Sequence, residues 1–198
     1  MVAAERTWGE HIALVVVDVQ NDFADPAGSL SVPGAPAILP LVNTLVQEAR
    51  AGGSLVVYTQ DWHPPVTPHF ASAGGIWPDH CVQGTWGAEL HPELVVAGPT
   101  VRKGAEGEDG YSGFVGRDPV TGEEGPTPLE GILREGGIHR VVVAGLATDY
   151  CVKETARHAV QKGFEAEVVA DAVRAVDLHP GDGEAALEEL RAVGVDVR

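Results

Sequence analysis

The chain is poor in positive charge. Its 13 Lys and Arg stand against 29 Asp and Glu, for a formal net charge of -16. Phosphate recognition needs clustered cations, so nucleic acid is excluded as a partner, and so is an anionic membrane surface. Cysteine is also scarce. Two residues, Cys81 and Cys151, do not make the disulfide framework of a secreted domain, so free thiols and a cytoplasmic setting are expected. The first ten residues lack a basic segment followed by an apolar one, so no signal peptide is read there. No apolar run is long enough to span a bilayer, and no membrane association is expected. The G-x-S-x-G elbow, the G-x-x-x-x-G-K-[ST] loop and the H-E-x-x-H helix are all missing. Gly104-x-x-Gly107-x-x-Gly110 is a flexible loop rather than a dinucleotide fingerprint.

What is present is an alternation of strand and helix patterns. At 198 residues, 44% of them apolar, the chain suits a single domain over 1–198 with a full core. Residues 12–17 are a continuous apolar run, as in a strand covered on both faces. Residues 38–50 repeat apolar side chains at helical spacing and stop at Gly52-Gly53. Further strands are read at 55–58, 100–103, 140–144 and 164–170, with a last edge strand at 193–197. Helices are read at 128–135, 152–162 and 183–192. The stretches 61–98 and 104–125 read as loops, the second acidic and rich in Gly. The pattern predicts an α/β three-layer sandwich, a mostly parallel six-stranded sheet with helices on both faces. Ligands of such sheets bind beyond the carboxyl ends of the strands. Asp18, Asp61 and Lys103 end three strands, and Cys151 follows a fourth.

Two constellations carry chemistry. Asp61, His63, His69 and His80 form D-x-H-x5-H-x10-H. Imidazole and carboxylate at this spacing suit one divalent ion, Zn, Fe or Mn. An extended Asp-x-His turns both side chains to the same side. His11, His91, His139, His158 and His179 read as ordinary surface residues, and Cys81 as a buried, inert thiol beside His80. The second constellation is Cys151 with a proton acceptor. At the start of a helix a thiolate is stabilised and its pKa falls; a small buried hydrophobe is the competing reading. Lys103 is the cation at the same sheet edge. Asp18, Asp22 and Asp149 all qualify as the acceptor, and spacing does not separate them.

Seven motifs in order resemble the nicotinamidase (pyrazinamidase) branch of the isochorismatase-like cysteine hydrolases. They are Val17-Asp-Val-Gln-Asn-Asp-Phe23, Asp61-Trp-His63, Pro68-His-Phe70, Trp77-Pro-Asp-His-Cys-Val82, Arg102-Lys-Gly104, Asp109-Gly-Tyr-Ser-Gly-Phe114 and Gly145-Leu-Ala-Thr-Asp-Tyr-Cys-Val152. The resemblance implies the isochorismatase-like hydrolase fold. It implies Cys151 as nucleophile, Asp18 as proton acceptor and donor, and Lys103 as third member of a triad. It implies Asp61, His63, His69 and His80 as ligands of one metal, and an oxyanion hole from the backbone at Ala147 and Cys151 after a cis peptide. Phe23, Trp77 and Tyr111 would pack on a flat ring whose nitrogen meets the metal. The implied reaction is nicotinamide to nicotinic acid and ammonia through a thioester, with pyrazinamide as a second substrate and a role in NAD salvage. A homo-oligomer is left open. The alternatives are a related amidase acting on another small carboxamide and a binding homologue without catalysis.

Overall fold

The computed structural model describes residues 6–198. Residues 1–5, half of the stretch read above as lacking a leader, lie outside the described residues. In chain order the elements are β1 (Ile12–Val17), α1 (Asn21–Ala24), α2 (Leu39–Ala51), β2 (Leu55–Asp61), β3 (Thr100–Lys103), β4 (Val115–Arg117), β5 (Glu124–Pro126), α3 (Leu129–Glu135), β6 (Arg140–Leu146), α4 (Lys153–Gln161), β7 (Glu165–Arg174), α5 (Asp182–Ala192) and β8 (Asp196–Val197). Six strands make one sheet in the order β3-β2-β1-β6-β7-β8, and every pairing is parallel.

The apolar run in β1 is continuous because both its faces are covered. Alternate side chains of a strand point to opposite faces. Leu14 and Val16 pack with Val42, Leu45 and Val46 of α2. Ala13, Val15 and Val17 pack with Leu129 and Leu133 of α3, Ala156 and Ala159 of α4, and Leu190 of α5. These are the three layers. Fully burying each such Val or Leu stabilises the fold by roughly 1.5–3 kcal/mol. α2 opens with a proline in its first turn, where the missing N–H costs nothing.

The order reverses between β1 and β6. From β1 the chain builds outward through β2 and β3; it then returns to β6 on the other side of β1. A crevice opens beyond the carboxyl ends at such a point. Gly145 lets the two strands lie close there: its φ is 116°, and a Cβ would stand 2.7 Å from the Val17 backbone nitrogen.

Several details differ from the sequence expectation. The loop 104–125 carries an antiparallel hairpin of β4 and β5. β2 runs on to Asp61, and β7 runs on to Arg174 past an irregularity opposite Val143 and Gly145. The edge strand β8 is only two residues long. Among the described residues no helix is long and apolar enough to cross a membrane.

Candidate active site

Four strand ends deliver four polar groups to this crevice. Asp18 follows β1 directly, with φ 48°, a left-handed backbone that Asp tolerates better than most residues. Thr59 in β2 holds it: the Thr59 hydroxyl donates to Asp18 Oδ1 at 2.6 Å. Lys103 ends β3 and is almost fully buried. Its Nζ lies 2.9 Å from Asp18 Oδ2, 3.5 Å from Cys151 Sγ, and in a short contact with Asp61 Oδ1. One ammonium thus serves two carboxylates and a thiol. The Asp61 backbone is clamped in turn by Gln20, whose Nε2 donates to the Asp61 carbonyl at 2.7 Å and whose Oε1 accepts from its N–H at 2.8 Å.

Cys151 does not sit in the first turn of α4. A π-helical turn, Thr148–Val152, intervenes between β6 and α4. The Leu146–Ala147 peptide is cis. The Ala147 carbonyl accepts from the N–H groups of Tyr150 at 3.1 Å and Val152 at 3.0 Å, which ties the turn together.

The electrostatics correct one expectation. Burial pushes the Cys151 thiol well above its ordinary value; the Lys103 ammonium opposes this, and the Asp18 carboxylate adds to it. The lowering expected of a helix start does not apply, because Cys151 lies in the π turn before α4 and burial acts upward on its thiol. A proton acceptor beside the thiol becomes essential. Burial also raises the Asp18 carboxyl, with Lys103 pulling the other way. For Asp61 burial acts upward too, but Lys103, then His63 and His80, win and hold the carboxyl far below its usual range. Lys103 stays charged: burial disfavours the ammonium, and Asp18 and Asp61 more than offset it.

Geometry also separates the three aspartates that spacing left open. Asp22 Oδ2 accepts from the Cys81 N–H at 2.7 Å, and its Oδ1 from the Ser29 N–H at 3.0 Å. Asp149 accepts from the N–H groups of Val176 and Asp177 at 3.0 and 2.9 Å. Both tie loops down. Asp18, Asp61 and Cys151 each offer a ligand-type atom within 4.8 Å of the others.

His63, His69 and His80 come from the long loop after β2. Each offers a ring nitrogen within 4.8 Å of the other two. Asp61 Oδ2 stands 3.8 Å from His63 Nε2, so this carboxylate faces Lys103 with one oxygen and the histidines with the other. Both ring nitrogens of His63 are buried without a hydrogen-bond partner. Buried polar groups are almost always satisfied, so an orphaned imidazole among two others signals a ligand. His80 Nδ1 lies 2.7 Å from the Pro78 carbonyl, the kind of backbone contact that leaves Nε2 as the free donor to a metal. Burial lowers the pKa of His80. It also lowers that of His69, to about 4, with help from His63. Imidazoles that burial keeps from protonating, at His69 and His80, beside the Asp61 carboxylate fit a divalent metal. Cys81 is buried with Sγ towards the Gly87 carbonyl at 3.9 Å, and burial holds its thiol well above the ordinary value.

A cavity joins the two centres, with Asp61, His69, His80, Ala147 and Cys151 on its wall. Phe23, Trp77 and Tyr111 line it as well, and Trp77 Nε1 donates to Tyr111 Oη at 3.1 Å. The sequence reading missed Leu30, Tyr150 and Val176, which complete the wall. Tyr150 meets Trp77 and Tyr111 edge-on, at centroid distances of 4.9 and 5.1 Å. Its place beside Cys151 was the one available signal. Two of the remaining histidines correct the surface reading: His91 and His158 are buried.

Residues 12–198 match the isochorismatase domain. A nicotinamidase of Acinetobacter baylyi is 41% identical over 214 residues, covering 98% of this chain and 95% of that protein. The structure of the pyrazinamidase of Pyrococcus horikoshii in complex with zinc superposes with a TM-score of 0.84 at 41% identity, over 95% of this chain and 98% of that one. A structure from L. infantum in complex with nicotinate superposes with a TM-score of 0.87 at 37% identity, over 98% of this chain and 95% of that one.

Proposed function

Because this chain belongs to the isochorismatase-like family of hydrolases, we propose that it hydrolyses nicotinamide to nicotinic acid and ammonia through a thioester on Cys151. The observation that carries this reading is Lys103 Nζ at 2.9 Å from Asp18 and 3.5 Å from Cys151, with Cys151 on the wall of a cavity that His69 and His80 also line. Residues 1–198 act as one cytoplasmic domain, pyrazinamide is a second substrate, and the product feeds NAD salvage.

Asp18 takes the Cys151 proton, a transfer favoured by a carboxyl that burial has raised. The Cys151 thiolate forms its bond to the carboxamide carbon. Lys103 steadies the charge on Sγ and on Asp18 throughout. Backbone N–H groups of Ala147 and Cys151 stabilise the oxyanion that develops on the carbonyl oxygen. Asp18 then returns the proton to the leaving nitrogen; ammonia departs and a thioester remains. Asp18 next deprotonates a water that attacks the thioester, and the proton restores the thiol as nicotinic acid leaves. Phe23, Trp77 and Tyr111 hold the flat ring and exclude bulk water. Asp61, His63, His69 and His80 would hold a divalent ion, which would supply Lewis-acid chemistry beside the bound ring. Zinc leads Fe(II) and Mn(II) as that ion, given the zinc complex of the P. horikoshii relative.

The test is ammonia release from nicotinamide, pyrazinamide and a panel of other small carboxamides. Turnover of nicotinamide is expected, with loss on chelation and recovery on adding Zn(II), Fe(II) or Mn(II). Metal-loaded protein that turns over another amide but not nicotinamide establishes the related-amidase alternative instead.

A further inference from the structure

Thr59 lies outside every motif that pointed to the site, yet it makes the closest contact to Asp18. Its hydroxyl donates to Asp18 Oδ1 at 2.6 Å and accepts from the Asp18 N–H at 3.2 Å. Oδ2 is thereby left to face Lys103, at 2.9 Å. Asp18 holds a left-handed backbone, φ 48°, and a hydroxyl that grips both its N–H and its carboxylate fixes the residue there. Thr59 is itself fully buried, and its other γ substituent is braced. A Cβ on Gly113 would stand 2.9 Å from Thr59 Cγ2, so the methyl packs directly against a glycine. Gly113 is locked by its N–H to Thr155 Oγ1 at 2.9 Å and its carbonyl to Thr127 Oγ1 at 2.5 Å. A β-branched side chain has one stiff torsion, so bracing the methyl aims the hydroxyl.

We propose that Thr59 is a positioning residue: pressed by Gly113, its hydroxyl orients Asp18 so that one carboxylate oxygen remains free to exchange the proton with Cys151. The inference rests on the reading of Asp18 as proton acceptor. It also gives a task to Gly113, which must lack a side chain to leave room for the Thr59 methyl.

Thr59→Val keeps the methyl brace and removes the hydroxyl. Its kcat is expected to fall about 10- to 100-fold, part of the ~100- to 10,000-fold that positioned acid–base groups supply. KM stays within about twofold, because the lost interaction serves the reaction path rather than substrate binding. Metal content is unchanged. Thr59→Ser, which keeps the hydroxyl and loses the braced methyl, recovers part of kcat. Unchanged kcat in Thr59→Val, or an equal loss in Thr59→Ser, overturns the inference. Should the Val variant fail to fold, a cycle reads the same link. Gly113→Ala lowers kcat in the wild-type background but much less in Thr59→Ser, where the methyl is gone; an equal loss in both backgrounds overturns the inference. Alkylation of Cys151 by iodoacetamide, located by peptide mass, reads proton acceptance with no substrate at all. It is expected to slow about tenfold in Thr59→Val, again a fraction of the acid–base contribution, and an unchanged rate overturns the inference. Wild-type protein that turns over no nicotinamide sinks the proposed substrate, and the alkylation comparison still decides on Thr59.

Discussion

The sheet carries a buried charge cluster at each end, and the two are built on opposite plans. At the amino end, Glu167 of β7 is fully buried between two guanidinium groups. Arg6 reaches its Oε1 at 2.6 Å and Arg140 its Oε2 at 2.5 Å. Both carboxylate oxygens are satisfied, and both arginines extend towards solvent. At the carboxyl end, one buried Lys103 serves Asp18, Asp61 and the Cys151 thiol, and beside them His63 has no partner for either nitrogen. The first cluster closes a fold; the second is short of cations and lined by a cavity. The lesson is that a buried charge is no sign of function by itself. Incomplete satisfaction next to a cavity is the informative feature.

The largest test of that contrast removes the nucleophile. Cys151→Ala is expected to lower turnover by about 10,000-fold or more, the scale on which loss of a covalent nucleophile acts. Metal analysis should find the ion retained at wild-type stoichiometry, because the histidine cluster does not include Cys151. Normal turnover in that variant removes the thioester mechanism.

Next come matched deletions at the two ends. Lys103→Met leaves two buried carboxylates without their cation and is expected to cost roughly 3–5 kcal/mol of stability along with activity. Glu167→Gln leaves arginines that can turn to water, and about 1–3 kcal/mol is expected. Its kcat per folded molecule stays at the wild-type value. Urea unfolding and steady-state assays read both. A large loss of kcat in Glu167→Gln, or none in Lys103→Met, erases the distinction between the clusters.

A third change, His63→Ala, addresses the orphaned imidazole. Metal affinity should weaken by more than the ~10- to 100-fold that outer-shell partners carry. A saturating ion stabilises the protein it binds, by about 2.7 kcal/mol at a hundred times Kd. Added metal should therefore raise Tm in wild type and not in the variant, while the chelated forms melt within a few degrees of each other. An equal rise in both refutes His63 as a ligand.

The contrast also marks what the sequence could reveal. β1, β2 and β6 were legible because strands buried on both faces are written as unbroken apolar runs. The arrival of Asp18, Asp61, Lys103 and Cys151 at one sheet edge was legible from where those runs stop. Three histidines in one loop were legible from spacing. The choice among Asp18, Asp22 and Asp149 was not, because it depends on which backbone N–H groups fold back onto each carboxylate. The π turn before α4 leaves no periodic trace in five residues. The hairpin of β4 and β5 was hidden in a Gly-rich acidic loop, since pairing across a short, exposed ribbon imposes little pattern. The thiol pKa was misjudged because the helix start is visible in sequence and the depth of burial is not. Thr59 was silent for the same reason: an apolar strand absorbs one threonine without comment.

The smallest expected effect lies in the pH dependence of the metal-free protein. Burial, then His63, holds His69 at about 4 in the folded chain, while an unfolded histidine titrates near ~6.5. Between those values the unfolded state binds the extra proton, so stability rises with pH across the window. The contribution is fully present above the unfolded value and is lost as pH falls from there through about 4. His80 shifts in the same direction through burial. The amino-end cluster instead pairs Glu167 with Arg6 and Arg140 and includes no histidine. Chelated wild type should therefore lose a few degrees of Tm between pH 7 and pH 5, and His69→Gln should flatten that slope. An identical slope in both would place the acid sensitivity outside the histidine cluster and return the two ends of the sheet to equal footing.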